Sequence, residues 1–141
     1  MGYATNGLTL NTLRDANKAR LPQFKNKHGE FAHSKPDGSD WSPAQWLQAV
    51  IGELGEYANL RKKFERGDIT LEEFALLGGK ELADVQVYLS LLALRCLDYD
   101  GVAHPTGIDL SQATIDKFNE VSERVGSNVR IAADDWHYEP V

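Results

Sequence analysis

The sequence predicts an all-α fold, a helical hairpin-based bundle in a single domain over residues 1–141. Apolar residues recur at the 3.6-residue spacing of helices and not at the alternating spacing of strands. Two segments also open with complete helix-capping signals, and no internal repeat or low-complexity stretch interrupts them. A chain of 141 residues has the length of one ordinary domain, so we expect all its helices to form one unit.

The first helix is expected over about residues 9–24, where apolar positions partly follow the helical period. The polar segment 25–40 carries glycine and proline residues and is interpreted as a long loop. Loops longer than a connection needs are often functional, so this loop is a candidate to close over a substrate. We interpret His28, His33 and Lys35 within it as solvated side chains and not as catalytic groups.

The second helix, expected over about residues 42–66, begins at the clearest signal in the chain. Its Ser-Pro-Ala-Gln start supplies an N-cap, a proline at the first helical position and a capping box. A Gly-Asp break follows, and a T-x-x-E capping box opens a third helix over about residues 70–98. The adjacent Gly78 and Gly79 inside the third helix predict either a kink or a close backbone approach.

The fourth helix is expected over about residues 109–126. Either Asp109 or Ser111 can cap its start, and Gly126 suits the position after its end. The tail after Asn128 has no pattern that assigns it to a helix or a strand.

The charge and composition of the chain indicate which partners it can bind and in which cellular compartment it is expected. Acidic residues exceed basic ones by six, which disfavours broad binding to nucleic acid or to anionic membranes. The longest apolar run, about Val85 to Leu97, is too short to span a bilayer, and the first twenty residues lack the apolar core of a secretory signal. A single cysteine, Cys96, fits a reducing compartment and a place in the core, so we expect a cytoplasmic protein.

Four carboxylates lie on helix faces that the period assigns to the core. Each of the second and third helices carries two of them in its apolar stripe: Glu53 and Glu56, then Glu81 and Asp84. In a hairpin of antiparallel helices, residues equally far from the turn lie level with one another. Glu53 and Asp84 have the same midpoint in residue number as Glu56 and Glu81, so both pairs are centred on the turn. All four acids are therefore expected to meet at one level, about 22 Å from the turn.

This carboxylate cluster predicts a metal site, because ionised carboxylates on facing apolar surfaces would repel one another and lose hydration. Oxygen-only ligands favour Mg²⁺, with Mn²⁺ as the other candidate, over iron or zinc. A di-iron site would place a histidine three residues after a glutamate, and those positions hold Glu56 and Asp84 here.

The acid pairs stand in two motifs, GELGE and then KELAD. This E-x-x-E and E-x-x-D pattern resembles the MazG-like branch of the all-α nucleoside triphosphate pyrophosphohydrolases. The stretches DWSPAQWLQAVIGELGEYANLRKK and KFNEVSERVGS are similar to compact, phage-type members of that family. The resemblance covers roughly residues 40–128, with a looser match at NKARLPQF.

The resemblance implies cleavage of a (d)NTP between its α and β phosphates, which gives a nucleoside monophosphate and pyrophosphate. The four acids would hold Mg²⁺ on the phosphates and orient or deprotonate the attacking water. The sequence does not show which acid is the base; Glu53 is our choice because it is the most central on its stripe. The resemblance also implies a homodimer or homotetramer, since two helices cannot cover their own apolar faces.

Candidate substrate-binding residues follow partly from the same resemblance, which implies Lys117, Asn119 and Arg124, and partly from positions near the acids. Lys117 and Arg124 lie two helical turns apart, share a face and are assigned to the phosphates. Asn119 is assigned to a polar contact near the nucleotide, and Asn59 is a further polar candidate. Trp46 precedes Glu53 on the same stripe and is interpreted as either a base contact or a core residue.

Two other functions stay open on the sequence. A related diphosphohydrolase acting on dUTP, dCTP or phosphoribosyl-ATP would use the same acids. A non-catalytic bundle that binds nucleotides or a partner protein would keep the acids without turnover. Assays with each (d)NTP and Mg²⁺ separate these functions and identify the preferred base and sugar.

Overall fold

The computed structural model describes residues 7–32, 41–132 and 135–139. Its four helices are α1 (Leu10–Arg20), α2 (Pro43–Glu65), α3 (Leu71–Arg95) and α4 (Leu110–Arg124). These helices dominate the chain, and the predicted all-α class is confirmed. The loop residues His33 and Lys35, and with them the second half of the predicted 25–40 loop, lie outside the described residues.

The predicted helix starts agree with the observed caps. The Ser42 and Thr70 side chains each accept a hydrogen bond from the backbone N–H three residues later, and each start forms a complete capping box. At the start of α4 the side chain of Asp109, and not that of Ser111, is the cap, because it accepts a hydrogen bond from the backbone of Gln112 at 3.0 Å. A short acidic side chain is well suited to the free N–H groups of a first turn.

Two helices end earlier than the period predicts. The first α-helix stops at Arg20, and a 3₁₀ turn, Leu21–Gln23, continues the chain. Pro22 has no backbone N–H to extend the α-helical ladder, which explains this change. Helix α3 stops at Arg95, and the chain then turns so that Asp98 can reach back to that arginine.

Helices α2 and α3 form the predicted hairpin, and α3 passes through its Gly-Gly pair without interruption. Gly78 is buried, and a Cβ atom built on it would lie 3.4 Å from the ring of Tyr57 and 3.5 Å from the ring of Phe74. Gly78 therefore marks a close approach of aromatic rings to the α3 backbone, whereas nothing lies within 4 Å of the Cβ position of Gly79. Phe74 also stacks on Phe64 of α2 at 5.0 Å between ring centroids.

The core lies where α1, the start of α2 and the second half of α3 meet. Its buried residues are Leu21, Trp46, Leu91 and Leu94, and Trp46 has no exposed surface. The side-chain Nδ2 of Asn17 donates a hydrogen bond to the carbonyl of Val87 at 3.3 Å. This bond and the apolar contacts hold α1 against α3.

The connection after α3 is fixed by a glycine and a buried ion pair. Gly107 has a φ of +62°, and a Cβ atom there would lie 2.3 Å from the carbonyl oxygen of Leu94. Arg95 and Asp98 pair at 2.9 Å with both side chains only 8% exposed. Cys96, next to this pair, is half-buried, and its thiol lies 3.3 Å from the carbonyl of Ala93.

The tail that the sequence left unassigned contains a short antiparallel hairpin of β1 (Val129–Ala132) and β2 (Asp135–Tyr138). The Asn119 side chain of α4 both accepts from the N–H and donates to the carbonyl of Ile131, each at 2.9 Å. One amide thus fastens β1 to α4. Within the described parts of the chain, no helix has the length and apolar character needed to cross a membrane.

Candidate active site

Three carboxylates from the α2–α3 hairpin meet in space. One oxygen each of Glu53, Glu81 and Asp84 lies within 4.8 Å of the other two. Glu81 and Asp84 stand three residues apart on one face of α3, and the hairpin brings Glu53 of α2 opposite them. Such a group can hold a metal ion.

The electrostatics of this three-carboxylate cluster fit a divalent cation. The pKa of Glu53 is raised, first by burial, then by its hydrogen bond with Glu81 and by the negative charges of Asp84, Glu81 and Glu56. These causes all disfavour the ionised form of Glu53, and a cation among the oxygens would favour it. An oxygen-only donor set is also the set that Mg²⁺ and Mn²⁺ prefer.

The fourth predicted acid, Glu56, does not belong to the group of three. Its side chain is exposed on α2, one helical turn nearer to the hairpin turn than Glu53. It acts on Glu53 through its charge. The structure therefore brings three of the four predicted acids together and leaves the fourth beside them.

A pocket of about 220 Å³ lies between α1 and α3 next to the three-carboxylate cluster. One side comes from the end of α1, the 3₁₀ turn and the residue after it, and the other side comes from the i, i+3, i+4 and i+7 positions of one face of α3. The lining residues are Asn17, Arg20, Leu21 and Phe24 on one side, and Asp84, Val87, Tyr88 and Leu91 on the other. Asp84 is thus shared by the acid cluster and the pocket.

The pocket has an exposed charged end and a buried interior. Arg20 and Asp84 are exposed, whereas Asn17, Leu21 and Leu91 are buried. These two ends suit a ligand that has an anionic part and a ring system. The anionic part would stay hydrated at the opening, and the apolar walls of the interior would cover the ring.

Arg20 is a cation that the sequence analysis missed. Its guanidinium lies 5.4 Å from the ring centroid of Phe24, and within the described ranges no ion pair joins it to a carboxylate. The pKa of Tyr88 is raised by burial and by the charges of Glu53 and Asp84, while Arg20 acts in the opposite direction. The only sequence signal for this side of the pocket was the loose family match at NKARLPQF.

The predicted phosphate ligands lie on α4, apart from the pocket lining. The Nζ of Lys117 pairs with Glu120 at 2.8 Å in an exposed ion pair. Arg124 is exposed at the last residue of α4. Asn119 uses its amide to hold Ile131, as described above. Roles of these α4 residues in nucleotide binding stay predictions.

The two predicted candidates on α2 differ in exposure. Asn59 is exposed, one turn beyond Glu56. Trp46 is fully buried, with its ring 4.7 Å from that of Trp41 and 6.4 Å from that of Tyr88. The sequence allowed two interpretations of Trp46, a base contact or a core residue, and the structure shows a core residue.

Comparison with known proteins gives one curated relative, dCTP pyrophosphatase 1 of Mus musculus, which is 33% identical over 109 residues. The matched region covers 74% of this chain and 58% of the relative, so the chain spans little more than half of that protein's length. No protein-family model matches the chain, and no solved structure matches it. The chain is thus similar, at low identity, to part of a nucleotide pyrophosphatase.

Proposed function

We propose that this protein is a metal-dependent nucleoside triphosphate pyrophosphohydrolase that cleaves a (d)NTP to a (d)NMP and pyrophosphate. The observation that carries the proposal is the convergence of Glu53, Glu81 and Asp84 beside a pocket between α1 and α3. The similarity to a dCTP pyrophosphatase supports the same class of reaction. It also makes a deoxynucleoside triphosphate the first substrate to test.

The three-carboxylate cluster would hold Mg²⁺ or Mn²⁺, with Glu56 adding negative charge from one side. A divalent ion bound there would neutralise phosphate charge, orient the triphosphate and lower the pKa of a coordinated water. Glu53 is our candidate for the general base, because it is half-buried and is the one α2 acid that meets both α3 acids. Its carboxylate would take the proton of the attacking water.

The pocket would hold the nucleoside part of the substrate. At about 220 Å³ it is smaller than the roughly 300–1,000 Å³ of pockets that enclose a whole drug-sized ligand. One moiety of a nucleotide therefore fits inside, and the phosphates extend toward Asp84 and the other acids. Arg20, at the exposed end of the same pocket, would contact a phosphate.

We further propose that the protein is a homodimer or homotetramer. Large apolar side chains remain exposed on both helices of the hairpin. They include Leu47, Ile51 and Leu54 at 48%, 59% and 50% exposure on α2, and Leu82 and Leu89 at 47% and 41% on α3. Contiguous exposed apolar residues favour a protein interface. Sedimentation equilibrium at several protein concentrations measures the oligomeric state, and a monomer at all of them contradicts this part of the proposal.

The activity is tested by incubating the protein with each (d)NTP and Mg²⁺ and quantifying monophosphate, pyrophosphate and orthophosphate. We expect monophosphate and pyrophosphate in equal amounts. The variant Glu81→Gln should lower kcat/KM by on the order of 10²–10³-fold, the usual cost of removing one preorganised electrostatic group. Glu72→Gln, at an exposed glutamate in the first turn of the same helix, is the matched control and should retain activity.

Three results contradict the proposal in different ways. Release of orthophosphate rules out cleavage between the α and β phosphates. Equal activity of Glu81→Gln and Glu72→Gln rules out the carboxylate cluster as the site. Absence of turnover with every nucleotide favours the non-catalytic bundle.

A further inference from the structure

Asn17 is a polar side chain placed inside an otherwise apolar part of the pocket. It is only 3% exposed, and its neighbours in the lining include Leu21, Val87 and Leu91. Polar groups that are buried need hydrogen-bond partners, because an unsatisfied donor or acceptor loses its hydration without compensation. The partners of this amide therefore indicate what the pocket is built to receive.

The orientation of the Asn17 amide follows from its contact with the α3 backbone. The carbonyl of Val87 can only accept a hydrogen bond, so the group that faces it at 3.3 Å must be Nδ2 and not Oδ1. Among the described residues, none forms a hydrogen bond with Oδ1 of Asn17. The oxygen thus remains as an acceptor in the wall of the pocket.

The position of this acceptor relative to the acids suits the base of a nucleotide. Val87 lies three residues after Asp84 in α3, and Asn17 lies three residues before Arg20 in α1. The charged residues are thus at one end of the pocket, and the buried amide is about one helical turn, roughly 5 Å, further in along both helices. A phosphate chain on the acids leaves the base as the part that reaches the amide.

We propose that Asn17 is a specificity-determining residue that accepts a hydrogen bond from the exocyclic amino group of the base. The inference rests on the proposed function and adds a substrate class to it. Nucleotides of cytosine and adenine carry this amino group, which donates a hydrogen bond. Their oxo counterparts, uracil and hypoxanthine, carry a carbonyl oxygen there, which would face the Asn17 oxygen without a proton between them. Such a mismatch leaves both acceptors unpaired, and we expect about 10- to 100-fold discrimination.

Binding to the unmodified protein tests the inference without relying on catalysis. Calorimetric titration in Mg²⁺ compares two matched product pairs, dCMP with dUMP and dAMP with dIMP. The amino member of each pair should bind at least about tenfold more tightly. Equal affinities within the pairs, tighter binding of the oxo members, or no measurable binding by any of them would overturn the assignment.

Hydrolysis by variants tests the residue itself. Asn17→Leu replaces the amide with an apolar side chain of similar size, and Asn11→Leu on the exposed face of α1 is the matched control. The ratio of kcat/KM for dCTP over dUTP should fall by at least about tenfold in Asn17→Leu and stay unchanged in Asn11→Leu. An unchanged ratio in a folded Asn17→Leu protein contradicts the inference.

The two proposals fail in distinguishable ways. If the unmodified protein hydrolyses no (d)NTP, the proposed function is wrong. If it hydrolyses dCTP and dUTP equally well, the function stands and only the role of Asn17 is wrong. Because Asn17→Leu also removes the bond to Val87, circular dichroism verifies its fold, and the product-pair titration decides the inference if that variant does not fold.

Discussion

The carboxyl groups of Glu53 and Glu81 meet although they belong to different helices, α2 and α3: one oxygen of each lies within 4.8 Å of the other and of an oxygen of Asp84. Two ionised carboxylates this close repel each other, and a cation between them would offset that repulsion. The hairpin thus holds two acids together at a distance that a bound ion would stabilise.

Addition of Mg²⁺ or Mn²⁺ is therefore expected to raise the melting temperature of the protein. A ligand at about 100 times its dissociation constant stabilises the folded state by about 2.7 kcal/mol, and each kcal/mol corresponds to roughly 2–8 °C in domains of this size range. Differential scanning fluorimetry with NaCl at equal ionic strength as a control measures the effect. The shift should disappear in Glu53→Gln and persist in Glu72→Gln. The same shift in both variants would locate metal binding elsewhere.

Removal of Glu56 is expected to harm activity less than removal of Glu53. Glu56 lies outside the three-carboxylate cluster and acts through its charge, whereas Glu53 belongs to the cluster. We expect kcat/KM of Glu56→Gln to exceed that of Glu53→Gln by about tenfold or more, measured over a Mg²⁺ titration. Equal losses in both variants would place Glu56 among the metal ligands of the working enzyme.

Substitution of Gly107 by alanine should destabilise the fold by about 3 kcal/mol or more, which is among the larger effects of single substitutions. Its Cβ would lie 2.3 Å from the backbone oxygen of Leu94, and the backbone is in the left-handed region. Gly126 is the matched control, because its φ of +73° is similar and nothing lies within 4 Å of its Cβ position. Urea unfolding should give a cost of about 1–2 kcal/mol for Gly126→Ala, from backbone strain alone. Similar costs at both positions would show that the contact with Leu94 is unimportant.

The two glycines inside α3 should respond in opposite directions. Gly79 has open space around its Cβ position, so Gly79→Ala should stabilise the helix by about 0.5–1 kcal/mol. Gly78 faces the ring of Tyr57, and Gly78→Val should cost about 1–3 kcal/mol because its added methyl groups need the volume of that ring. Thermal unfolding at fixed protein concentration measures both. Stabilisation by Gly78→Val would show that the ring of Tyr57 can move aside without a loss of packing energy.

Removing one partner of the buried ion pair should lower the free energy of unfolding more than replacing both partners. Arg95 and Asp98 are both only 8% exposed, and Asp98 also accepts a hydrogen bond from the backbone of His104 at 2.8 Å. Asp98→Ala leaves an uncompensated buried guanidinium and should cost about 3–5 kcal/mol. The double variant Arg95→Met/Asp98→Ala should recover part of this loss in urea unfolding. A double variant less stable than Asp98→Ala would show that Arg95 stabilises the fold independently of its partner.

The α2–α3 hairpin could be predicted from the sequence because the information for it is local. Capping signals locate the starts of α2 and α3, and the helical period places Glu53, Glu81 and Asp84 on the facing sides. The exposure of Glu56 was not predicted. The helical period assigned both Glu53 and Glu56 to the apolar stripe of α2, and it does not distinguish the centre of a stripe from its edge.

The pocket between α1 and α3 and the β hairpin of the tail could not be predicted from local sequence patterns. Asn17 and Val87 are 70 residues apart, and no periodicity within α1 indicates which face of α3 it contacts. The strands β1 and β2 contain four residues each, and the link from Asn119 to Ile131 comes from a distant side chain. Tertiary contacts of this kind determine structure that short segments do not specify.

The cluster of tilted aromatic rings behind the pocket gives the protein an intrinsic optical probe. Tyr88 lines the pocket, and its ring lies 6.4 Å from that of Trp46, which has no contact with solvent. The emission of a buried indole depends on the groups packed around it, and a tyrosine at this distance transfers excitation to it. A ligand that moves Tyr88 therefore changes the fluorescence of the unlabelled protein, so occupancy of the pocket can be followed in real time.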